Sequence, residues 1–172
     1  MKEKSNNLGI RREIVIINWL GLYTLYIKEV KRFTNVFLQT ITAPMVTTLL
    51  FVTVFSVAID RGAGIEGIPY MTFLIPGLLM MSVLQNAFAN VSSAFMTAKV
   101  TGSIVDLLFA PLGPFEIFVA LNLAGITRGL FVFLASFFLL YVIGIAFFPV
   151  NSAWIIVFLF LGGFALSSIG MI

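Results

Sequence analysis

The 172-residue chain contains no cysteine and no histidine. Without cysteine it has no disulfide, no thiolate metal site and no thiol nucleophile, and its redox compartment cannot be read. Without histidine it lacks the commonest general base and the commonest transition-metal ligand. Charge is scarce as well. Charged residues make up 10% of the chain and hydrophobic ones 60%, where an ordinary globular protein carries about a quarter charged residues. The mean hydropathy is +1.12. Seven of the ten Lys and Arg residues lie in the first 32 positions. The net charge of +3 is therefore not a nucleic-acid signal. The basic residues precede the first apolar run, where anionic lipid or membrane topology accounts for them.

What remains is oil in long pieces. Residues Phe33 to Ile59, Gly67 to Ala98 and Gly129 to Ile172 carry no charged side chain. About 20 residues at 1.5 Å rise cross the hydrocarbon core, so these runs predict membrane-spanning helices. The reading is an all-α, polytopic membrane helix bundle with about four transmembrane helices behind an N-terminal amphipathic interfacial helix. It forms a single domain: a tail and amphipathic helix over 1–35, spans over 36–59, 69–96, 117–148 and 154–172, and a loop over 99–116. Pro44 falls in the first span and Pro76-Gly77 in the second, where each is expected to bend or mark its helix. Pro69 is expected in the first turn of the second span. The last run is still apolar at Ile172, without a polar exit, which suggests a fragment with further spans missing. The tail is too long and too charged for a cleavable signal peptide. By the positive-inside rule, the N-terminus and the 99–116 loop face the cytoplasm.

On a helical wheel over Ile14 to Asn35, Val15, Ile16, Trp19, Leu20, Leu22, Tyr23, Tyr26, Ile27, Val30 and Phe33 share one face. Asn18, Gly21, Thr24, Lys28, Glu29, Lys31 and Arg32 share the other, and Ile14, Ile17 and Leu25 break the pattern. Such a helix lies in the plane of the headgroups; a merely solubilising tail is the alternative. In the second span, Ser82, Gln85, Asn86, Asn90, Ser92, Ser93 and Thr97 fall within an arc of about 160° at the 3.6-residue period. Polar groups avoid lipid, so this stripe turns toward other helices or a water-filled path. Packing and pathway lining both remain open. The stripe carries no ionisable group, which argues against an ion-coupled carrier.

The loop Lys99-Val-Thr-Gly-Ser-Ile-Val-Asp-Leu-Leu-Phe-Ala-Pro-Leu predicts a short cytoplasmic helix. Ser103 and Asp106 fit a capping-box-like start. Ile104, Leu107 and Leu108 form an apolar face at i, i+3, i+4, and Pro111 stops the helix. This element can dock on another protein or pack on its own bundle. Arg128 marks the cytoplasmic boundary, snorkelling to headgroups, if the third span starts at Gly129. If the helix starts at Ile117, Arg128 sits inside the bundle and needs a partner, for which Glu116 and Asp106 are the candidates. The boundary reading is preferred.

Taken in order, these segments resemble the ABC-2 type permeases, the membrane subunits of ATP-driven exporters. The resemblance rests on Trp19-Leu-Gly-Leu-Tyr-Thr-Leu-Tyr-Ile-Lys-Glu-Val-Lys-Arg-Phe33, on Gln39-Thr-Ile-Thr-Ala-Pro44 followed by Leu49-Leu-Phe-Val-Thr-Val-Phe55, on Tyr70-Met-Thr-Phe-Leu-Ile-Pro-Gly-Leu-Leu-Met-Met81 and on Asp106-Leu-Leu-Phe-Ala-Pro111. The sublineage resembles the bacterial multidrug or polysaccharide export permeases. The resemblance implies a subunit of the bacterial cytoplasmic (inner) membrane with six spans when intact. It also implies a homodimer or a paired permease subunit, and two ABC ATPase partners. Residues Thr101 to Phe109 become the coupling helix, with Thr101, Ser103, Ile104, Asp106, Leu107, Leu108 and Pro111 as its working residues. Lys28, Glu29, Lys31 and Arg32 belong to the connecting helix beside it. Relatives often carry more charge where this chain has Thr101-Gly102-Ser103. The chain has no Gly-x-x-x-x-Gly-Lys-Ser/Thr phosphate loop, so it is expected not to be an enzyme. ATP and magnesium would bind the partner ATPase, and the exported substrate would be a drug, lipid or glycan. The rival readings are a non-transport membrane anchor or assembly protein and a fragment of an ion-coupled carrier.

Overall fold

The computed structural model describes residues 17–58, 64–65, 68–144 and 152–172. Among them are six helices: α1 (Trp19–Thr34), α2 (Phe37–Ala58), α3 (Tyr70–Val100), α4 (Ile104–Phe109), α5 (Pro114–Val142) and α6 (Ser152–Ile169). The loop between α2 and α3 contains one antiparallel rung pair, β1 (Gly64–Ile65) with β2 (Ile68–Pro69). Pro69 thus closes this ladder, and the helix begins one residue later, at Tyr70. The rest of the connection between the first two spans, residues 145–151 between the last two, and residues Ile14 to Ile16 of the wheel lie outside the described residues.

Three helices are long and apolar enough to cross a membrane: α2, α3 and α5. The fourth expected span is a shorter apolar helix, described over Ala153–Ile169. Pro44 and Pro76 lie inside α2 and α3, which continue past them. At 1.5 Å per residue, α3 and α5 reach about 46 Å and about 43 Å. Both exceed a hydrocarbon core of about 30 Å. The C-terminal part of α3 and the N-terminal part of α5 therefore project together at one end, where α4 joins them.

Antiparallel α3 and α5 form the centre, with α2 on one side and α6 on the other. Val52, Ile75, Leu79 and Leu140 pack the α2-side core. Val83, Ile126 and Leu159 pack the middle, and Val91, Ala94 and Leu121 pack the α4 end. Small residues set the close approach of the central pair. A Cβ on Gly125 would lie 2.5 Å from Ser167 Oγ and 3.0 Å from the Ala87 carbonyl. A Cβ on Gly129 would lie 3.0 Å from Val83. Gly125 and Gly129 thus form the small-xxx-small contact through which membrane helices bring backbones together. On α6, Leu159 and Ser167 are buried, and just past its end a Cβ on Gly170 would lie 2.9 Å from the Phe88 carbonyl. On α2, Thr42, Thr47 and Thr53 are exposed, and each donates its hydroxyl to its own helix four residues back. That satisfies the hydroxyls internally, as an apolar surrounding requires.

Candidate functional site

The end at which α3 and α5 project is built from α4 and from α1, which runs parallel to the first half of α5. The contacts descend in step: Asn18 to Glu116, Tyr26 to Thr127 at 3.0 Å, and Phe33 against Phe131 with ring centroids 6.2 Å apart. Phe37, in the first turn of α2, also meets Phe131, at 6.4 Å. One aromatic ring of α5 therefore braces both sides of the Asn35-Val36 elbow.

Helix α1 has three faces. Leu25, Glu29 and Phe33, spaced by four, are buried against the bundle. Trp19, Leu20 and Tyr23 stand outward, 56–70% exposed. Thr24, Lys28 and Lys31 form the exposed polar edge. The wheel misplaced two of these residues. Leu25, which broke its pattern, is a buried anchor, and Glu29, placed on the polar face, is 6% exposed. A two-faced wheel sorts residues between oil and water, whereas this helix also meets the bundle.

A polar clasp fixes the start of α1 to the start of α5. The Glu116 carboxylate accepts the Gly113 amide at 2.8 Å and the amide of Asn18. The Asn18 side chain caps α1 by accepting the Gly21 amide at 3.0 Å and donates to the Pro111 carbonyl at 3.1 Å. Gly21 leaves room for Leu112, whose Cδ2 would lie 2.4 Å from any Cβ there. Glu116 is thus not a partner of Arg128, which lies twelve residues further along α5, about 18 Å away at 1.5 Å per residue. The sequence signal for the clasp was Gly113-Pro114 followed by a glutamate at the third helical position, a capping pattern.

In α4, Pro111 ends the helix as expected, with Ala110 already extended. The start differs from the expected capping box. Ser103 is in the helical region and makes no side-chain cap bond; its hydroxyl pairs with that of Thr101 at 2.9 Å. Gly102 makes the turn instead, at φ +74, a left-handed conformation that favours glycine. The apolar face also divides. Ile104 and Leu107 are half-buried, Leu107 against a cleft shared with Leu25, Lys28, Phe95 and Ser103. Leu108 and Phe109 point away from the bundle, 73% and 85% exposed, and Asp106 is exposed beside them.

The polar stripe of α3 is split in the same way. Ser82 and Asn90 are buried, Asn86 and Ser92 half-buried, and Gln85, Ser93 and Thr97 exposed. Ser82, Asn86 and Ser93 donate to carbonyls of α3 itself at 2.8–3.0 Å. Asn90 reaches another element: Arg32 Nη2 donates to its carbonyl at 2.7 Å and also pairs with Glu29 at 3.1 Å. Arg128 completes this junction. Its helix begins at Pro114, fourteen residues earlier, so the helix does not start at Gly129. Arg128 lies mid-way along α5, half-buried, one residue after Thr127, which meets Tyr26, and three before Phe131, which packs on Phe33. Because the start of α5 projects, the start of the helix does not fix the start of the span. The Arg128 Nε is buried without a hydrogen-bond partner. Asp106 is out of play on exposed α4. Charge position alone could not separate a helix start from a mid-helix site. Among the described residues no group of His, Cys, Asp and Glu could hold a metal ion.

Two long helices joined by a short projecting one, flanked by an amphipathic helix, is the arrangement the permease resemblance implied. The profile of the ABC-2 type transporter family matches residues 21–172. The chain belongs to the ABC-2 type transporter family. It is 40% identical over 115 residues to the inner membrane transport permease YadH of Escherichia coli K12, a match covering 66% of this chain and 45% of the relative. The YadH proteins of Escherichia coli O157:H7 and Shigella flexneri match equally. The chain spans about half the length of these curated relatives. No solved structure matches it.

Proposed function

We propose that this chain is the permease subunit of an ATP-driven exporter of the bacterial inner membrane, with the N-terminus and α4 on the cytoplasmic side. The observation that carries this reading is α4 itself: six residues held between two over-long helices, with Leu108 and Phe109 projecting from the bundle. Exposed apolar side chains beside a free carboxylate suit a groove on a partner, and in this family that partner is an ABC ATPase. Leu107 seats α4 beside Leu25 of α1 and Phe95 of α3, so a push on Leu108 and Phe109 is carried into the bundle. The clasp at Glu116 carries the same displacement to α1. Lys28 and Lys31, on the exposed edge of α1, flank this surface.

In this mechanism ATP and magnesium bind the partner, and ATP-driven closure moves two α4 helices of a paired permease, homodimeric or mixed. The bundles then alternate access for a drug, lipid or glycan-type substrate. The exposed part of the α3 stripe, Gln85, Ser93 and Thr97, is available to a pathway between subunits, and Ser82 and Asn90 serve packing.

Affinity purification of the detergent-solubilised protein tests this reading. An ABC ATPase is expected to co-purify with the wild type and to be lost from the folded Leu108→Asp, Phe109→Asp variant. Equal recovery with both would refute the assignment of α4 as the coupling element.

A further inference from the structure

The junction of α1, α3 and α5 carries more donors than acceptors and more positive charge than negative among the described residues. Arg32 and Arg128 bring two guanidinium groups, each with five N–H donors. The Asn90 side chain is fully buried and its Nδ2 has no partner. Against these stands one carboxylate among the described residues, Glu29, whose buried Oε2 lies 3.1 Å from Arg32 Nη2 and accepts no hydrogen bond. The Arg128 Nε is buried without an acceptor. Two positive charges and one negative leave a surplus of one positive charge in a low-dielectric setting, which calls for a counter-anion. The two other carboxylates among the described residues with known surroundings do not supply it. Glu116 is committed to the Asn18 and Gly113 amides, and Asp106 is exposed on α4.

The junction opens outward, because the Arg32 side chain is 30% exposed and Arg128 is half-buried. Arg32 lies in the last turn of α1, just before the Asn35-Val36 elbow into the first span. The entry of a span into the hydrocarbon core lies at the level of the lipid headgroups, so this is the level of the lipid phosphates. A phosphate supplies the negative charge and the several acceptor oxygens that paired guanidinium groups bind.

We propose that Arg32 and Arg128, backed by Asn90, form a binding site for the phosphate of an anionic phospholipid headgroup where the interfacial helix meets the first span. The site does not depend on the permease reading. Bound there, the lipid neutralises the junction and ties α1 to α3 and α5.

Thermal unfolding of the full chain in neutral detergent, with added phosphatidylglycerol or phosphatidylcholine, tests this, since a ligand that prefers the folded state raises its midpoint. Phosphatidylglycerol is expected to raise the wild-type midpoint by several degrees more than phosphatidylcholine. Arg128→Gln is expected to lose most of that difference, and Lys99→Gln, which removes one exposed charge elsewhere, to keep it. Inorganic phosphate added with phosphatidylcholine is expected to do little; a shift equal to that of phosphatidylglycerol would overturn the lipid as the source of the anion. Equal shifts with the two lipids, or a full shift in Arg128→Gln, would overturn the site. Should Arg128→Gln not fold, native mass spectrometry of the wild type decides: preferential retention of phosphatidylglycerol in a mixture of the two lipids supports the site, and indifference refutes it.

Discussion

Single residues in this bundle act through the space and the hydrogen bonds they leave to their neighbours. Gly125 is the clearest case, since its missing Cβ is what lets the Ala87 carbonyl and Ser167 approach. Gly125→Ala is expected to destabilise the bundle by about 1–3 kcal/mol, the usual cost of overpacking a tight core. Gly77→Ala, where a Cβ meets nothing within 4 Å, is expected to leave the midpoint unchanged or raise it slightly, because alanine favours the helix. Thermal unfolding in detergent of the two variants checks the pair; equal losses would contradict the contact. Glu116 acts through its two backbone partners. Glu116→Ala is expected to cost about 1.5–3 kcal/mol, as for hydrogen bonds to a charged group. It should also open α1 to trypsin at Lys28 and Lys31, which limited proteolysis would show. Gly125 and Gly129 have the small-xxx-small spacing, but such spacing does not say which helix is approached. The capping pattern at Gly113-Pro114 and Glu116 marks a helix start without showing that Asn18, distant in sequence, shares the carboxylate. Glu116 enters the sequence reading only as one candidate partner for Arg128 in the less favoured placement of the third span.

At the scale of elements, α4 has two sides with different duties. Leu107→Asp is expected to lower the thermal midpoint by several degrees, because its side chain is half-buried against the cleft beside Leu25 and Phe95. Leu108→Asp and Phe109→Asp are expected to leave it unchanged while abolishing ATPase recovery. A parallel loss of stability in all three variants would contradict the division. The capping-box role of Asp106 was not borne out. Pro111 as the stop and a short helix before it were legible from spacing and proline chemistry. The division between Leu107 and Leu108 was not, because i, i+3, i+4 spacing defines a face without saying what covers it. The Ser103 cap failed because Gly102 turns the chain first. On α1 the aromatic outer face was legible in Trp19 and Tyr23. The burial of Leu25 and Glu29 was not, since it comes from α5, which is distant in sequence.

Over the whole molecule, uncharged runs revealed the architecture, because hydrocarbon excludes charge whatever the helices pack against. They located α2, α3 and α5, and also α6, which is shorter than expected over its described residues. The expected spans over 69–96 and 117–148 already exceed the ~20 residues that cross the core, but the runs could not show at which end α3 and α5 leave the bilayer, since the projecting ends are themselves largely apolar. That projection sets α4 away from the spans and, with α1 strapped alongside, makes one mechanical unit of the end of the bundle. The central claim is that this unit is where an ABC ATPase engages the permease. The absence of cysteine from these 172 residues allows a direct test, because an introduced thiol is unique among them. A photoactivatable thiol-reactive crosslinker on Phe109→Cys, in membranes that contain the protein and its ATPase, is predicted to give a covalent adduct containing that ATPase. The same reagent on Trp154→Cys, at the start of α6, is predicted to give none. An ATPase adduct from Trp154→Cys alone, or none from either when both variants are labelled and folded, would contradict the account.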